Sequence, residues 1–288
     1  MARLEPAVRS GSLLKLYQSL WAPYYQAVLS VLGPTGVLLP FGDPHHGQPN
    51  ATTFTTKGEE QVTFTWSEPL SSFDTPLDVT GADSFQGIVP VVTFNGTDEN
   101  AITPDAAFWS VDDSGDNGFS IGMWVYINDT VVTRRILGKY DTGEAISEWS
   151  IFINATDKLI FVIRDESAAV NIERDSDAAV NQGQWAFLVA TYDGTGGATA
   201  MDGATLYQNG VVMASTAVNN GSYVAMENGT SVVSLGAFRI SGNPTALFDG
   251  KMAGGPLGPW FVTHDAAGII TADEVRALYD LGRAALGL

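Results

Sequence analysis

The side chains best suited to bind a metal ion are concentrated in one acidic loop. Asp112, Asp113 and Asp116 fall within residues 112–118, which also contain Gly115 and Gly118. Carboxylate oxygens crowded beside glycines are typical of calcium loops, but the glutamate at the twelfth position of an EF-hand is missing here. Two interpretations stay open: a calcium site, and a solvated turn that leads into the next strand.

Residue patterns that support catalysis are missing from the sequence. His45 and His46 are adjacent, without further ligands at metal-binding spacing, and His264 stands alone. A nucleophile elbow, an H-E-x-x-H helix and a phosphate-binding loop are also absent. Glu144 and Glu148 lie outside any clear strand, whereas glycoside hydrolysis needs two carboxylates that flank the scissile bond. We therefore expect a protein without enzymatic activity.

Several asparagines lie in Asn-x-Ser/Thr sequons, mostly at turns between predicted strands, where a glycan could be attached. Because Asn and Thr are also ordinary turn and strand residues, chance accounts for part of this pattern. The sequon asparagines are Asn50, Asn95, Asn128, Asn154, Asn220 and Asn228. They keep surface glycosylation open as a hypothesis.

Residues 185–215 predict two strands and a hairpin. Residues 185–192 are apolar except for Thr191, which is typical of a strand covered on both faces. Asp193 and Gly194 end this strand, and residues 205–208 resume as a second one. Asn209 and Gly210 then separate two short apolar runs, which is the strongest local signal for a hairpin.

This stretch, with WAFLVATYDG followed by LYQNGVVMAS, resembles the laminin G-like domain. Further segments with the same likeness occur in order along the chain, over about residues 88–284. They are residues 92–104, 119–127, 136–139, 149–163, 235–240, 248–250 and 270–282. One departure is the segment FDGKMAGGPLGPWFV, where a Gly- and Pro-rich insertion replaces an acidic pair of the family.

The resemblance implies an all-β fold, a concanavalin A-like antiparallel β-sandwich (jelly roll). Residue patterns add an N-terminal helical arm and a short C-terminal helix, for which Thr271 and Glu274 form a capping box and Gly282 is the C′ residue. The resemblance implies a calcium site at the rim, for which Asp141, Asp193 and Asp249 occupy suitable loop positions besides Asp112, Asp113 and Asp116. It also implies sugar binding by the rim loops or the concave face. Exposed rings would stack on sugars. Candidates are Trp109, Trp149 and Trp260, although aromatic residues more often fill the core of a sandwich.

The N-terminal segment has apolar residues at helical spacing, interrupted by Pro23. The stripe packs either on its own sandwich or against neighbouring subunits, and the second alternative makes it an assembly anchor. Its residues are Leu13, Leu16, Tyr17, Leu20, Trp21, Tyr24, Val28 and Leu32. Residues 24–29 and 33–43 also resemble a segment that precedes laminin G-like domains in structural proteins of tailed viruses.

The charge of the chain excludes one class of partner and favours one environment. It has 32 acidic and 14 basic residues, a net charge of −18, and no cysteine for disulfides. An acidic surface is unsuited to nucleic acid, because phosphate contacts need basic groups. In molar salt the screening length falls to roughly 3 Å, so such a surface hardly repels itself. The composition therefore resembles that of proteins from halophilic archaea.

These observations lead to one main hypothesis and one alternative. We expect an N-terminal arm (1–50), a strand and connector (51–87) and the sandwich (88–288). The main hypothesis is a capsid-decoration, turret or tail-associated subunit on the virion of a haloarchaeal tailed virus. Its partners would be other virion proteins and further copies of itself. The alternative is an adhesin that binds host-surface glycans, with calcium as its one candidate cofactor. We expect neither a signal peptide nor a membrane span.

Overall fold

A computed structural model describes most of the chain from residue 91 onwards and short pieces before it. The described residues are 27, 28, 30, 31, 37, 38, 53–55, 57, 58, 62–67, 73, 74, 91–110, 116–128, 132–143, 147–253, 261–264 and 269–286. The early strands are β1 (Val37–Leu38), β2 (Thr53–Thr55), β3 (Lys57–Gly58), β4 (Thr63–Trp66), β5 (Phe73–Asp74), β6 (Val91–Asn95) and β7 (Ala101–Thr103). The middle strands are β8 (Phe119–Ile127), β9 (Arg134–Lys139), β10 (Trp149–Ile153), β11 (Lys158–Asp165), β12 (Val170–Ala179), β13 (Trp185–Tyr192) and β14 (Ala204–Gln208). The last strands are β15 (Val211–Val212), β16 (Ser215–Val218), β17 (Val233–Leu235), β18 (Phe238–Ile240), β19 (Asn243–Thr245), β20 (Asp249–Ala253) and β21 (Phe261–His264).

Besides four helical residues near the N-terminus (27, 28, 30 and 31), the described part of the chain contains three helical segments. Two are single 3-10 turns, Ala107–Trp109 and Ala200–Gly203, and the third is the C-terminal helix, Ala272–Leu286. No helix among the described residues is both long enough and apolar enough to span a bilayer.

The described strands form two large antiparallel sheets and one short hairpin. One sheet has ten strands, with the central order β15-β14-β13-β8-β20-β6-β5. The other has nine, in the order β16-β12-β11-β10-β9-β17-β7-β4-β2, and β18 pairs only with β19. The predicted fold class, an all-β antiparallel sandwich, is confirmed.

The strand predicted at residues 185–192 is confirmed residue for residue as β13, and all of its side chains are buried. It lies beside β8 in the ten-stranded sheet, from the pair Trp185–Tyr126 to the pair Tyr192–Phe119. One face of these strands contributes to the core between the sheets, and the other lies in a second apolar cluster with the C-terminal helix. Coverage on both faces explains the continuous apolar run.

The hairpin predicted at Asn209 and Gly210 is also confirmed. Both residues have positive φ, 54° and 76°, as this turn requires. After β15, however, the chain does not continue as one strand to Ser215. It leaves the ten-stranded sheet, and β16 pairs with β12 in the other sheet.

The C-terminal helix has the predicted capping box. The Thr271 backbone N–H donates to Glu274 Oε2 (2.7 Å), and the Glu274 N–H donates to Thr271 Oγ1 (3.3 Å). The prediction that Gly282 ends the helix is wrong, because the helix continues to Leu286. A Cβ at Gly282 would lie 2.2 Å from Trp124 Nε1, so this glycine lets the helix approach the sheet.

The N-terminal segment is described at only four helical residues, of which two valines pack on the sandwich. Val28 is fully buried in the second apolar cluster with Trp124, and Val31 packs against it. Val28 therefore fits the alternative in which the stripe packs on its own sandwich. The remaining anchor residues lie outside the described residues: Leu13, Leu16, Tyr17, Leu20, Trp21, Tyr24 and Leu32.

The boundary predicted at residue 88 also differs from the structure. Strands β2 and β4 belong to the nine-stranded sheet, and β5 pairs with β6 in the ten-stranded sheet. β1 pairs with both β3 and β21. Strands from the predicted arm and connector are thus parts of the two sheets, because their backbone groups find their partners there.

Candidate functional site

The outer face of the nine-stranded sheet presents aromatic, aliphatic and charged side chains in register. Arg135 pairs with Phe152, Phe152 with Ile160, and Ile160 with Asp175, so one row crosses four strands. Phe152 and Ile160 belong to an apolar cluster separate from the core, so this row faces away from the core. We call this surface the outer face.

A second row on the outer face has small residues at its centre. Ser234 pairs with Gly138, Gly138 with Ser150, Ser150 with Val162, and Val162 with Glu173. A Cβ at Gly138 would lie only 2.7 Å from Ser150 Oγ, so a larger residue would not fit there. The middle of the row is therefore lined by backbone and hydroxyl groups rather than by long side chains.

The β18–β19 hairpin adds a third component beside the outer face. Phe238, at its start, packs against the apolar cluster, and its ring centre is 5.6 Å from that of Tyr140. The Arg135 guanidinium carbon lies 3.6 Å from the Phe152 ring centre and 4.6 Å from that of Phe238. Arg135 is thus held between a ring of the sheet and a ring of the hairpin.

A buried carboxylate, that of Asp141, fixes this hairpin in place. Its Oδ1 accepts hydrogen bonds from the backbone N–H groups of Ser241 (2.7 Å) and Gly143 (3.1 Å). Its Oδ2 accepts one from the Gly242 N–H (2.7 Å). Because Asp141 immediately follows β9 and Tyr140, the hairpin tip is tied to the sheet beside the apolar cluster.

Partial burial shifts the pKa values of the charged groups on the outer face. Desolvation lowers the pKa of Arg135 to about 10, against the opposing effects of Tyr140 and Glu173. Desolvation raises the pKa of Glu173, and the nearby Asp175 carboxylate raises it further. The pKa of Asp175 is also raised by desolvation, while Lys158 opposes this shift. The face therefore combines a partly desolvated cation with two partly desolvated acids.

Several polar atoms of this surface have no hydrogen-bond partner among the described residues. These atoms are buried, and buried polar atoms are nearly always paired in folded proteins, so their concentration beneath one face is unusual. The atoms are Arg135 Nε and Nη1, Asp175 Oδ1, Ser234 Oγ, and Nη1 of Arg239 in β18. The partly exposed side chains of Arg135, Glu173 and Asp175 lie on the same face, which makes this face the best candidate for a binding site.

The aspartates predicted to form one calcium site do not come together. Asp116 and Asp193 lie beside the Phe119 end of β8, whereas Asp249 lies beside its Ile127 end. A strand of this length spans about 26 Å, so a single site of these residues is ruled out. Asp112 and Asp113 lie outside the described residues, and those that are described contain no group of three potential ligands.

Each described aspartate of that set already accepts hydrogen bonds. Asp116 accepts from the hydroxyls of Tyr192 (2.5 Å) and Tyr223 (2.8 Å) and from the Met226 N–H. Asp193 accepts from the Thr195 N–H (2.8 Å), and Asp249 accepts from Asn128 Nδ2 (2.6 Å). Their contacts hold loops at the two ends of the sandwich.

Among the described sequon asparagines, Asn95 is the last residue of β6, and the others lie in loops between strands. Asn95, Asn128, Asn220 and Asn228 are exposed, and Asn154 is partly buried. The side-chain amides of Asn95 and Asn128 donate to Asp98 and Asp249 respectively. Asn154, Asn220 and Asn228 use their side-chain oxygens as acceptors. Asn50 lies outside the described residues.

The tryptophans considered for sugar stacking do not serve that role where they are described. Trp109 and Trp149 are each 1% exposed, belong to the core, and are joined by a hydrogen bond from Trp149 Nε1 to the Trp109 carbonyl (3.0 Å). Trp260 lies outside the described residues. The aromatic rings beside the outer face are those of Phe152, which is only 9% exposed, and Phe238, which is partly buried. Sequence reasoning did not single them out, because each lies within a segment that is typical of an ordinary strand.

Sequence reasoning also missed two carboxylates that lie on one face of a single strand. Glu173 and Asp175 alternate on β12 and pair with Val162 and Ile160 of the outer face. Their i, i+2 spacing in a predicted strand was the available signal. Of the two candidates discussed from sequence, Glu144 lies outside the described residues. Glu148 is buried in an ion pair with Lys139 (2.5 Å).

Comparison with known proteins identifies the family. Residues 95–254, more than half of the chain, match the model of the Concanavalin A-like lectin/glucanases superfamily. The chain belongs to this superfamily. No curated protein matches it significantly.

Solved structures support the same fold at low sequence identity. One is the binding domain of botulinum neurotoxin DC in complex with SialylT: 13% identity, TM-score 0.51, covering 85% of this chain and 51% of that one. Another is botulinum neurotoxin type C, studied for its dependence on two ganglioside molecules in cell entry: 14% identity, TM-score 0.51, covering 88% and 52%. The chain thus spans about half the length of these structures, and the similarity concerns the fold.

Proposed function

We propose that this member of the concanavalin A-like superfamily is a non-enzymatic, glycan-binding module and that its site is the outer face of the nine-stranded sheet. The observation that carries the proposal is the set of partly exposed charged side chains on this face, Arg135, Glu173 and Asp175, with the rings of Phe152 and Phe238 packed against Arg135. Sugars present hydroxyl groups that both donate and accept, together with apolar C–H faces. This face offers the complementary groups.

A neutral glycan is the class that suits this chemistry. The carboxylates of Glu173 and Asp175 accept hydrogen bonds, and the guanidinium of Arg135 donates them, so adjacent sugar hydroxyls can satisfy both. An acidic glycan would add a negative charge next to two carboxylates on a chain of net charge −18.

Binding without hydrolysis is the second part of the proposal. Sandwich glucanases place carboxylates in an E-x-D-x-x-E strand, and β12 has Glu173 and Asp175 in the first two positions. Ala178 stands where the second glutamate would be. The strand therefore lacks one of the acids that this arrangement uses to cleave a glycosidic bond.

A glycan array probed with the full chain in molar KCl tests the binding proposal. We expect neutral glycans to bind, and Glu173→Gln or Asp175→Asn to weaken the best one about tenfold or more, a cost of about 1.4 kcal/mol. Asp273→Asn, on the exposed start of the C-terminal helix, is the matched control and should bind as the wild type does. Equal affinity in all four proteins would place the site elsewhere. Release of cleaved sugar would refute the non-enzymatic part.

We further propose that the module is displayed on the surface of a tailed-virus particle in a high-salt environment. Support comes from the net charge of −18 and from the resemblance of residues 24–43 to segments of virion proteins. The free energy of unfolding should rise as KCl increases from 0.1 M to 2 M, because screening relieves the repulsion between surface carboxylates. A value that falls over this range would contradict the high-salt setting.

A further inference from the structure

A buried lysine at the rim of the sandwich is surrounded by more acceptors than it has hydrogens. Lys139, the last residue of β9, is fully buried. Its Nζ lies 2.5 Å from Glu148 Oε1, 2.7 Å from Asp105 Oδ1, and 2.6 Å from both Ser110 Oγ and the Gly229 carbonyl. An ammonium group has three N–H donors, so four oxygens at these distances exceed its capacity.

The two carboxylates around Lys139 are in different environments. Glu148 is fully buried, and its Oε2 has no partner among the described residues. The Asp105 side chain is 31% exposed, which leaves a route to solvent. Trp149 pairs with Lys139 across the β9–β10 strands and shields it on the core side. A shielded amine thus lies between a buried acid and an acid that is open to water.

We propose that Lys139 Nζ and the side-chain carboxyl group of Asp105 condense to an intramolecular amide, with Glu148 as the proton carrier. Contact between the amine and carboxylate makes the reaction unimolecular, which is the main advantage of fixed reactants. Burial raises the pKa of Glu148 to about 7, so its carboxyl group can both accept and release a proton near neutral pH.

The atoms and charges of this step balance without a co-reactant. Glu148 takes one proton from the Lys139 ammonium, and the resulting amine attacks Cγ of Asp105. A C–N bond forms and one C–O bond of Asp105 breaks. The departing oxygen leaves as water, with its protons supplied by Glu148 and by the attacking nitrogen. Glu148 ends in the protonation state in which it began.

The bond would join two segments that are distant in sequence. Asp105 follows β7 and precedes the 3-10 turn, while Lys139 ends β9. A covalent link between them constrains the unfolded chain as a disulfide does. The chain has no cysteine, so this rim cluster offers a cross-link that it cannot make by disulfide chemistry.

Mass spectrometry of the full chain tests the proposal. The folded protein, kept in molar KCl and then unfolded, should weigh one water less than its sequence. Peptide mapping should find one linked pair of peptides that contains Asp105 and Lys139. An amine-specific reagent should leave Lys139 unlabelled after unfolding.

Three variants separate the proposed reaction from a simple ion pair. Asp105→Ala keeps the buried Lys139–Glu148 pair and should have the full sequence mass with a reactive Lys139. Glu148→Gln should also have the full mass. Glu166→Gln removes a carboxylate that pairs with Arg164 instead, and it should keep the water loss. A wild-type protein of full mass with a labelled Lys139, or a water loss that maps to a cyclic imide or persists in Asp105→Ala, would overturn the proposal.

Discussion

The guanidinium carbon of Arg135 lies 3.6 Å from the centre of the Phe152 ring, on the outer face of the nine-stranded sheet. Phe238 contributes a second ring at 4.6 Å, so Arg135 joins the sheet to the β18–β19 hairpin. The protein provides no acceptor among the described residues for two of its nitrogens. Arg135 therefore links the stability of the hairpin to the proposed site.

Replacing Arg135 should affect both stability and binding. Arg135→Ala should lower the free energy of unfolding by about 1–2 kcal/mol, because the partly buried cation–π contacts are lost. Glycan affinity should fall in the same variant. Urea unfolding at fixed KCl and calorimetric titration measure the two effects. Arg276→Ala, on the exposed face of the C-terminal helix, is the control, and an equal loss of affinity in both variants would contradict the assignment.

Removing the Asp141 carboxylate should release the hairpin from the sheet. Asp141→Ala leaves three backbone N–H groups without their acceptor. Charge-assisted hydrogen bonds contribute about 1.5–3 kcal/mol each, with losses shared within one network, so a total cost of about 2–4 kcal/mol is expected. Asp141→Asn keeps one acceptor oxygen and should lose less. Hydrogen exchange should show faster exchange at Ser241 and Gly242, and unchanged rates there would refute the anchoring role.

Glu148 should make stability depend on pH in a defined direction. Its pKa is raised by burial from 4.5 to about 7, so the folded state binds this proton more tightly than the unfolded state. Its contribution is complete below about pH 4.5 and is lost as the pH rises towards 7. The difference in unfolding free energy between wild type and Glu148→Gln should therefore fall by up to about 1.4 kcal/mol per pH unit in this window. A difference that rises with pH would contradict the raised pKa.

We expect the N-terminal segment to have two roles: the part around Val28 packs on the domain, and residues 1–26 join copies of the chain into an oligomer. Deleting residues 1–26 keeps Val28 and β1, so the remaining protein should fold normally. We expect light scattering in molar KCl to find an oligomer for the full chain and a monomer for this deletion. Val28→Ala in the full chain should cost about 1–3 kcal/mol of stability without changing the mass of the assembly. Equal masses for the full chain and the deletion would remove the assembly role.

Much of the sandwich was predictable because its signals are local. The buried run of β13, the Asn209–Gly210 turn and the capping box of Thr271 and Glu274 all depend on residues near each other in sequence. Apolar periodicity and positive φ in a tight turn are properties of single segments. The sequence by itself therefore determined the fold class and the main strands.

The site was decided only by tertiary structure, because its parts come from distant segments. Arg135, Phe152 and Asp175 become neighbours through the register of four strands, and Phe238 joins them from a hairpin about 100 residues after Arg135. Strand order also places Asp116 and Asp249 at opposite ends of β8. The sequence could not show this, because the position of a loop in the sequence does not tell at which end of the sandwich it lies. Charge and composition determined that the surface is acidic. The register of the strands determined which side chains lie together on the outer face.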